Sequence, residues 1–214
     1  MTATHAQTLA NLAEHLRDDE IHVWQLDYRP PLGRKPLHVV LGAYLGIEAN
    51  RVTLIAGEHG RPALAAGHDR SLGFNWSHSG DHALIAVGRR VTPGIDLEQL
   101  RARPRAMEIA RRYFSTAEAE ALAALPVTAR DAAFLEMWTA KEAVLKALGR
   151  GLAFGLDRLS IANEAGQLTL QRLEGDDVGA WQLQRLAVDT TQVAALAWRG
   201  DMRRVRLGTL ASGD

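Results

Sequence analysis

Residues 130–149 read RDAAFLEMWTAKEAVLKALG, and this stretch decides the fold of the middle of the chain. Alanine, leucine and other good helix formers dominate it, and it reaches Gly149, a residue type that often caps a helix C-terminus. The sequence therefore predicts one long helix over residues 130–148. Thr128 and Asp131 have the spacing of a capping box and place the start of that helix near residue 130, while Ser115 and Glu118 predict the start of a shorter helix.

The segments on either side of this helix have strand character. Before it, strands are predicted at residues 21–28, 52–55, 74–78, 83–87 and 95–100, with a helix at 8–17 and a helix or strand at 37–45. After it, strands are predicted at residues 158–162, 167–173, 180–186, 192–198 and 205–210, and we expect them to form an antiparallel sheet. This order predicts an α+β fold with an N-terminal subdomain of residues 1–103 and a C-terminal subdomain of residues 104–214.

The composition limits the classes of function that the chain can have. Its 214 residues carry 25 Lys and Arg against 25 Asp and Glu, so the formal net charge is zero and a broad polycationic surface for nucleic acid is excluded. The absence of cysteine excludes disulfides, thiolate zinc sites and cysteine nucleophiles. No apolar run is long enough to span a bilayer and no signal-peptide pattern is present, so we expect a cytoplasmic protein without membrane or nucleic-acid partners.

Asp96 and Glu98 lie two residues apart in a stretch with strand character, residues 94–98. A period of two places both carboxylates on one face of the strand. Neighbouring carboxylates repel each other unless a cation compensates them, and magnesium or manganese prefers oxygen ligands. An isolated pair of this kind is more often a solvated strand face, so the hypothesis of a metal site needs further residues.

Glu142 and Lys146 lie in the predicted long helix with the spacing of a surface ion pair, which is the ordinary explanation of such a pattern. Glu142 is, however, a third carboxylate beside the acidic pair Asp96 and Glu98. Three carboxylates and a lysine together suit a metal-bound pyrophosphate.

Residues 74–80, FNWSHSG, place hydroxyls, an imidazole and a glycine at a strand end. Ser77 and His78 in this segment can donate to phosphate oxygens. Arg61, in the Gly-Arg-Pro of residues 60–62, supplies a cation in a constrained loop. The sequence contains no P-loop, no Rossmann glycine fingerprint and no nucleophile elbow.

Taken in order, residues 60–62, 74–80, 94–98 and 138–146 resemble the successive motifs of the 4′-phosphopantetheinyl transferases. The resemblance is strongest to the single-chain class that activates peptide and polyketide synthases. It implies transfer of the phosphopantetheine arm from coenzyme A to a serine hydroxyl of an apo carrier protein, with release of adenosine 3′,5′-bisphosphate. It also implies two similar subdomains, each a small antiparallel sheet with a packed long helix, related by a pseudo-twofold with the active site between them.

The resemblance assigns roles to particular residues. Asp96, Glu98 and Glu142 are expected to bind Mg²⁺ or Mn²⁺. Glu142, or a metal-held water near it, is the expected general base for the carrier serine, and Lys146 is expected to stabilise charge on the phosphates. The residues expected to bind coenzyme A are Arg61, Ser77, His78, Asp96 and Lys146.

The sequence departs from the family pattern in one place, and an arginine-rich stretch indicates a face for a partner. Family members usually carry a basic helix before the position of residues 60–62, whereas residues 28–47 are poorly basic here. The alternative function is therefore a non-catalytic module that binds coenzyme A or a carrier protein, and a third is a magnesium-dependent hydrolase of pyrophosphate bonds. The arginine-rich residues 101–112 are the expected face for an acidic carrier, and the protein is expected to be a monomer.

Overall fold

The computed structural model describes residues 3–164 and 166–210 and divides into two compact units. In chain order the helices are α1 (Ala3–Glu14), α2 (Lys35–Leu45), α3 (Ala106–Tyr113), α4 (Thr116–Ala124) and α5 (Val127–Leu148). The strands are β1 (Glu20–Asp27), β2 (Leu54–Ala56), β3 (Pro62–Leu64), β4 (Leu72–Ser79), β5 (His82–Arg89), β6 (Gly94–Gln99), β7 (Leu159–Glu164), β8 (Gln167–Leu173), β9 (Trp181–Arg185), β10 (Gln192–Arg199) and β11 (Arg204–Leu210).

The first unit contains the residues up to Pro93 together with those from Met202 onward. Its main sheet has the order β11-β1-β5-β4, and β2 pairs with β3 in a small ribbon. Residues 37–45, which the sequence left open between helix and strand, belong to α2, and this helix ends at Gly46 in the left-handed conformation that glycine adopts without strain. The buried face of α2 contributes Leu37 and Leu41 to a core shared with the sheet.

The second unit, Gly94–Asp201, contains the sheet β6-β10-β9 and the separate hairpin β7-β8. Its strands pair antiparallel, and buried residues of α3, α4 and α5 share one apolar core with them. The α+β fold class is confirmed, with a small sheet and packed helices in each unit. In the part of the chain that the structure describes, no helix combines the length and apolar character needed to span a bilayer.

The prediction of one antiparallel sheet after the long helix is wrong in its pairing. β11 lies in the first unit, where it pairs parallel with β1, and β7 and β8 form a hairpin of their own. Alternation along a sequence predicts a strand but does not predict its partner. The compact units accordingly divide at Pro93 and Met202, whereas the sequence-based expectation placed the boundary between residues 103 and 104.

The start of α5 also differs from the prediction, whereas its end agrees. The expected capping box from Thr128 to Asp131 is wrong, because α5 begins at Val127 after Pro126 and has no side-chain cap. The capping box of Ser115 and Glu118 at the start of α4 is confirmed, since each side chain accepts a hydrogen bond from the backbone N–H of the other residue. Gly149 caps the end of α5 in the left-handed conformation, as predicted.

Candidate active site

Strand β6 and helix α5 pack so closely that only glycine fits between them. A Cβ atom built on Gly94 would lie 2.0 Å from the carbonyl oxygen of Ala143 and 2.3 Å from the backbone nitrogen of Ala147. Since real Cβ atoms never approach backbone atoms this closely, Gly94 allows the backbone of α5 to lie directly on β6. This approach places the side chains of the next turn of α5 over the acidic strand.

An ion pair joins the strand to the helix at this point. Lys146 Nζ donates to Asp96 Oδ1 at 2.7 Å and to the carbonyl oxygen of Ile95 at 3.1 Å. Asp96 is only 6% exposed, and the alternate strand residue Leu97 is buried. Asp96 and Lys146, expected from sequence to act together, are therefore brought into contact although they are fifty positions apart.

Glu142 lies one helical turn before Lys146 and is partly buried. Burial, followed by the charge of Asp96, raises the pKa of Glu142 to about 7, with Lys146 lowering it and Glu98 raising it further. Within the described residues, Glu142 Oε1 is buried and has no hydrogen-bond partner. Asp96, Glu98 and Glu142 thus lie close enough for their charges to interact.

Glu98 contacts a residue that the sequence analysis did not assign to the site. Its Oε2 accepts a hydrogen bond from Arg103 Nη2 at 2.7 Å, and the two side chains are 20% and 29% exposed. Arg103 was named only as part of the arginine-rich stretch expected to face a carrier protein. Its position five residues after Glu98, in the loop that follows β6, is the sequence signal that could have indicated this pairing.

The site has the chemistry of a hard divalent cation site. Its donors are carboxylate oxygens, and within the described residues Glu142 Oε1 is buried without a hydrogen-bond partner. Burial and the charge of Asp96 disfavour the ionised form of Glu142, and a cation placed there would favour it. Among residues 3–164 and 166–210, however, no three potential ligands are already arranged for metal binding. Asp96 and Glu98 instead contact Lys146 and Arg103.

Lys141, which precedes Glu142 on α5, is a fully buried residue of the protein interior. Its Nζ lies 2.8 Å from Glu118 Oε2 and donates to the carbonyl oxygens of Leu156 and Leu159. Burial lowers the pKa of Lys141, and the charge of Glu118 opposes that shift. Although Lys141 and Glu142 are adjacent in sequence, they take opposite roles, because Lys141 holds the interior together while Glu142 belongs to the acidic site.

The other predicted site residues, Arg61, Ser77 and His78, belong to the first unit. Arg61 Nη2 donates to the carbonyl oxygens of Phe74 and Pro93, at 2.9 and 3.0 Å, and burial lowers its pKa to about 10. At least one arm of this guanidinium therefore supports the loop in which it lies, a role that the sequence did not indicate.

Ser77 and His78 are neighbours on β4 and therefore point to opposite faces of the sheet. Ser77 is buried, whereas His78 is exposed and its ring centroid lies 4.6 Å from that of Tyr28. Trp76 lies on the same side, 5.3 Å from His78 between ring centroids. The two residues are not arranged to hold the same phosphate group from one face of the strand.

Comparisons with known proteins agree on one group. The family model of the 4′-phosphopantetheinyl transferase superfamily matches residues 92–197, which include Asp96, Glu98, Glu142 and Lys146. The 4′-phosphopantetheinyl transferase HetI of Nostoc sp. (strain PCC 7120) is 37% identical over 202 residues, covering 90% of this chain and 82% of that protein.

Two further relatives match over shorter segments. The putative 4′-phosphopantetheinyl transferase slr0495 of Synechocystis sp. (strain PCC 6803) is 33% identical over 126 residues, covering 59% of this chain and 51% of that protein. The 4′-phosphopantetheinyl transferase psf-1 of Bacillus pumilus is 38% identical over 102 residues, covering 47% of this chain and 42% of that protein.

Proposed function

The chain belongs to the 4′-phosphopantetheinyl transferase superfamily and is a transferase of that group, and on this premise we propose that it uses coenzyme A as donor and a carrier-protein serine as acceptor. The serine oxygen attacks the β-phosphorus of the coenzyme A pyrophosphate. The bond between that phosphorus and the oxygen bridging to the α-phosphate breaks. The serine becomes a phosphopantetheinyl ester, and adenosine 3′,5′-bisphosphate leaves.

The observation that carries this proposal is the contact of Asp96 on β6 with Lys146 on α5, beside Glu142. It supports a site in which fixed negative charge can hold a cation and fixed positive charge can hold phosphate oxygens. A simple surface ion pair would leave Glu142 solvated. Instead Glu142 Oε1 is buried and, within the described residues, has no hydrogen-bond partner.

Asp96, Glu98 and Glu142 are the residues that would hold a Mg²⁺ or Mn²⁺ ion. Such an ion, when bound, neutralises charge on the pyrophosphate and makes its phosphorus more electrophilic. Their oxygen donors match the ligand preference of these ions. Asp96 and Glu98 lie on β6 and Glu142 lies on α5. These two elements pack against each other within the second unit, which holds the three carboxylates in place.

The proton of the attacking serine is assigned to Glu142 or to a water that a bound ion would hold near it. Without a bound ion, burial raises the pKa of Glu142 to about 7 and makes it a stronger base than an ordinary exposed glutamate. A bound cation would lower that pKa, and a water held beside the ion is then the alternative proton acceptor. Lys146, held beside Asp96, supplies positive charge where charge develops on the leaving phosphate. The reaction balances when the serine proton passes to Glu142 or to that water and adenosine 3′,5′-bisphosphate departs.

Binding of the nucleotide part of coenzyme A is assigned to Arg61, Ser77 and His78 of the first unit. The exposed imidazole of His78, packed against Tyr28, can donate to a phosphate oxygen. Arg61 keeps its positive charge at neutral pH and can attract the same anionic group. Ser77 is the weakest of these assignments on geometry, because it lies on the opposite face of β4.

The test is a transfer assay with purified protein, coenzyme A, Mg²⁺ and a panel of apo carrier proteins from fatty-acid, polyketide and peptide synthases. Intact-mass measurement should show one phosphopantetheine added to at least one carrier, and a carrier with its serine replaced by alanine should stay unmodified. The proposal is refuted if the enzyme is folded and none of the carrier proteins gains the mass of phosphopantetheine. Release of adenosine 3′,5′-bisphosphate without a carrier would instead indicate a hydrolase.

A further inference from the structure

The ion pair of Glu98 and Arg103 compensates a carboxylate that the proposed function assigns to a metal ion. The distance from Nη2 to Oε2 is 2.7 Å, and less than a third of either side chain is exposed. Partial burial reduces the solvent screening that makes surface ion pairs weak. Arg103 is therefore an effective counter-charge for Glu98 in the metal-free protein.

The position of Arg103 is fixed by the helix that carries the other site residues. Its backbone N–H donates to Asp131 Oδ2 at 3.1 Å, and Asp131 lies on α5. The loop after β6 is thus attached to the helix that carries Glu142 and Lys146. This hydrogen bond restrains the backbone at Arg103, so we expect a change at its contact with Glu98 to come from the Arg103 side chain.

The Nε group of the Arg103 guanidinium takes no part in holding Glu98. Arg103 Nη2 makes the hydrogen bond, while Arg103 Nε is buried and has no hydrogen-bond partner in residues 3–164 and 166–210. Arginine–carboxylate pairs are strongest when the N–H groups of the guanidinium donate in parallel, so a pair that leaves the buried Nε unused is easier to replace. This geometry suits a contact that is exchanged when another cation arrives.

We propose that Arg103 competes with the divalent cation for Glu98, an inference that rests on the metal site of the proposed function. The side chain occupies Glu98 in the metal-free protein and leaves it when the ion binds. The physical reason is that a divalent cation and a guanidinium at the same carboxylate repel each other. Arg103 thereby sets the affinity of the site for its ion, as a positioning residue that need not touch the substrate.

Direct metal binding tests this proposal without recourse to activity. The dissociation constant for Mn²⁺ is measured by electron paramagnetic resonance on the metal-free wild type and on Arg103→Gln. Removal of one positive charge beside the ion should lower the dissociation constant about tenfold. Arg103→Lys keeps the charge and should bind Mn²⁺ with an affinity close to that of the wild type.

The matched control is Arg105→Gln, which removes the same charge from the same loop. Arg105 is exposed and pairs with Glu108, at 2.7 Å between Nη2 and Oε1. Its removal should leave the Mn²⁺ affinity unchanged. An equal gain in both variants would overturn the proposal, because it would show a general charge effect and no competition at Glu98.

Unchanged Mn²⁺ binding by Arg103→Gln would also overturn the proposal. Weaker binding would overturn it too, and would show that Arg103 supports Glu98 in the metal-bound state. If Arg103→Gln does not fold, the arginine Nε–H resonances of the wild type are followed by nuclear magnetic resonance during a Mg²⁺ titration. Displacement of Arg103 from Glu98 should shift the Arg103 resonance. An Arg103 resonance that does not shift would overturn the proposed competition. The transfer assay on the wild type reports separately on the proposed function. If the enzyme transfers phosphopantetheine but the Mn²⁺ affinity does not depend on Arg103, only the proposal about Arg103 is refuted.

Discussion

Lys141 and Glu118 form an ion pair that is almost inaccessible to solvent, with 2.8 Å between Nζ and Oε2 and side chains that are 0% and 5% exposed. Glu118 also accepts a hydrogen bond from the backbone N–H of Ile161 through Oε1. One carboxylate therefore joins the start of α4, the middle of α5 and β7. The pair fixes the turn of α5 on which Glu142 lies.

Replacing Lys141 by methionine should destabilise the protein by about 3–5 kcal/mol, because Glu118 would keep its buried charge without a cation. Urea unfolding followed by circular dichroism measures this loss. The double variant with Glu118→Gln should recover part of it, since no unpaired charge then remains. The matched control is Arg105→Met, which breaks an exposed pair with Glu108 and should change stability far less. Equal effects of the two single variants would contradict the structural role of Lys141.

Gly94→Ala should cost about 3 kcal/mol, because the new methyl group would overlap the backbone of α5 at Ala143 and Ala147. The helix must move away from β6, and the contact between Asp96 and Lys146 should weaken with it. Thermal unfolding gives the stability and the transfer assay gives the activity. Gly67→Ala is the control, since a Cβ atom there meets open space. A Gly94→Ala variant with wild-type stability would show that β6 and α5 do not pack as described.

Glu142 should make the stability of the metal-free protein depend on pH. Its folded-state pKa of about 7 lies above the ordinary value of 4.5, so the folded state binds the proton more tightly than the unfolded state does. The stability that comes from this proton is fully present below pH 4.5 and is lost as the pH rises through about 7, a loss of about 3 kcal/mol.

The measurement compares unfolding free energies of the wild type and Glu142→Gln from pH 4.5 to pH 8 in the presence of a chelator. Glutamine stays neutral, so the variant should become relatively more stable as the pH rises. Glu120→Gln, at an exposed position on α4, should show no such trend. A difference between wild type and Glu142→Gln that does not change with pH would refute the raised pKa. Saturating Mg²⁺ should reduce the trend, because it favours the ionised carboxylate.

Arg111 and Arg112 on α3 are exposed and remain candidates for attracting an acidic carrier. Replacing both by serine should lower kcat/KM for the carrier about tenfold at low salt, and leave KM for coenzyme A unchanged. High salt should remove most of the difference. The variant Arg51→Ser/Arg70→Ser removes the same charge from exposed positions of the first unit and serves as control. Equal losses in both variants would refute a specific docking face.

The sequence predicted the parts of the fold that depend on local pattern. The position of α5 and its end at Gly149 followed from helix-forming residues and a capping glycine, and the acidic face of β6 followed from the spacing of Asp96 and Glu98. These features depend on neighbours in the chain, so a single sequence contains them. The start of α5 was missed because a helix can begin after a proline without a side-chain cap.

Contacts between distant segments could not be predicted in this way. Glu118 was identified as a capping residue, and the capping box is present, but the same carboxylate also neutralises Lys141 across the core. Arg103 was assigned to a carrier surface because nothing in its local sequence distinguishes a solvated arginine from one that holds Glu98. Charge pairing of this kind depends on how elements pack, and the spacing of residues along the chain does not determine it.

Because β1 pairs in parallel with β11, the sheet that contains β1 cannot be completed until Arg204–Leu210 has been synthesised on the ribosome. Parallel neighbours need a crossover, and here the crossover contains the whole unit Gly94–Asp201. That unit is continuous in sequence, so it can complete its pairings before Arg204–Leu210 has been translated. The segment with Asp96 and Glu142 can thus fold while β1 still lacks its neighbour β11. The sheet that contains β1 is completed only after the second unit has been translated.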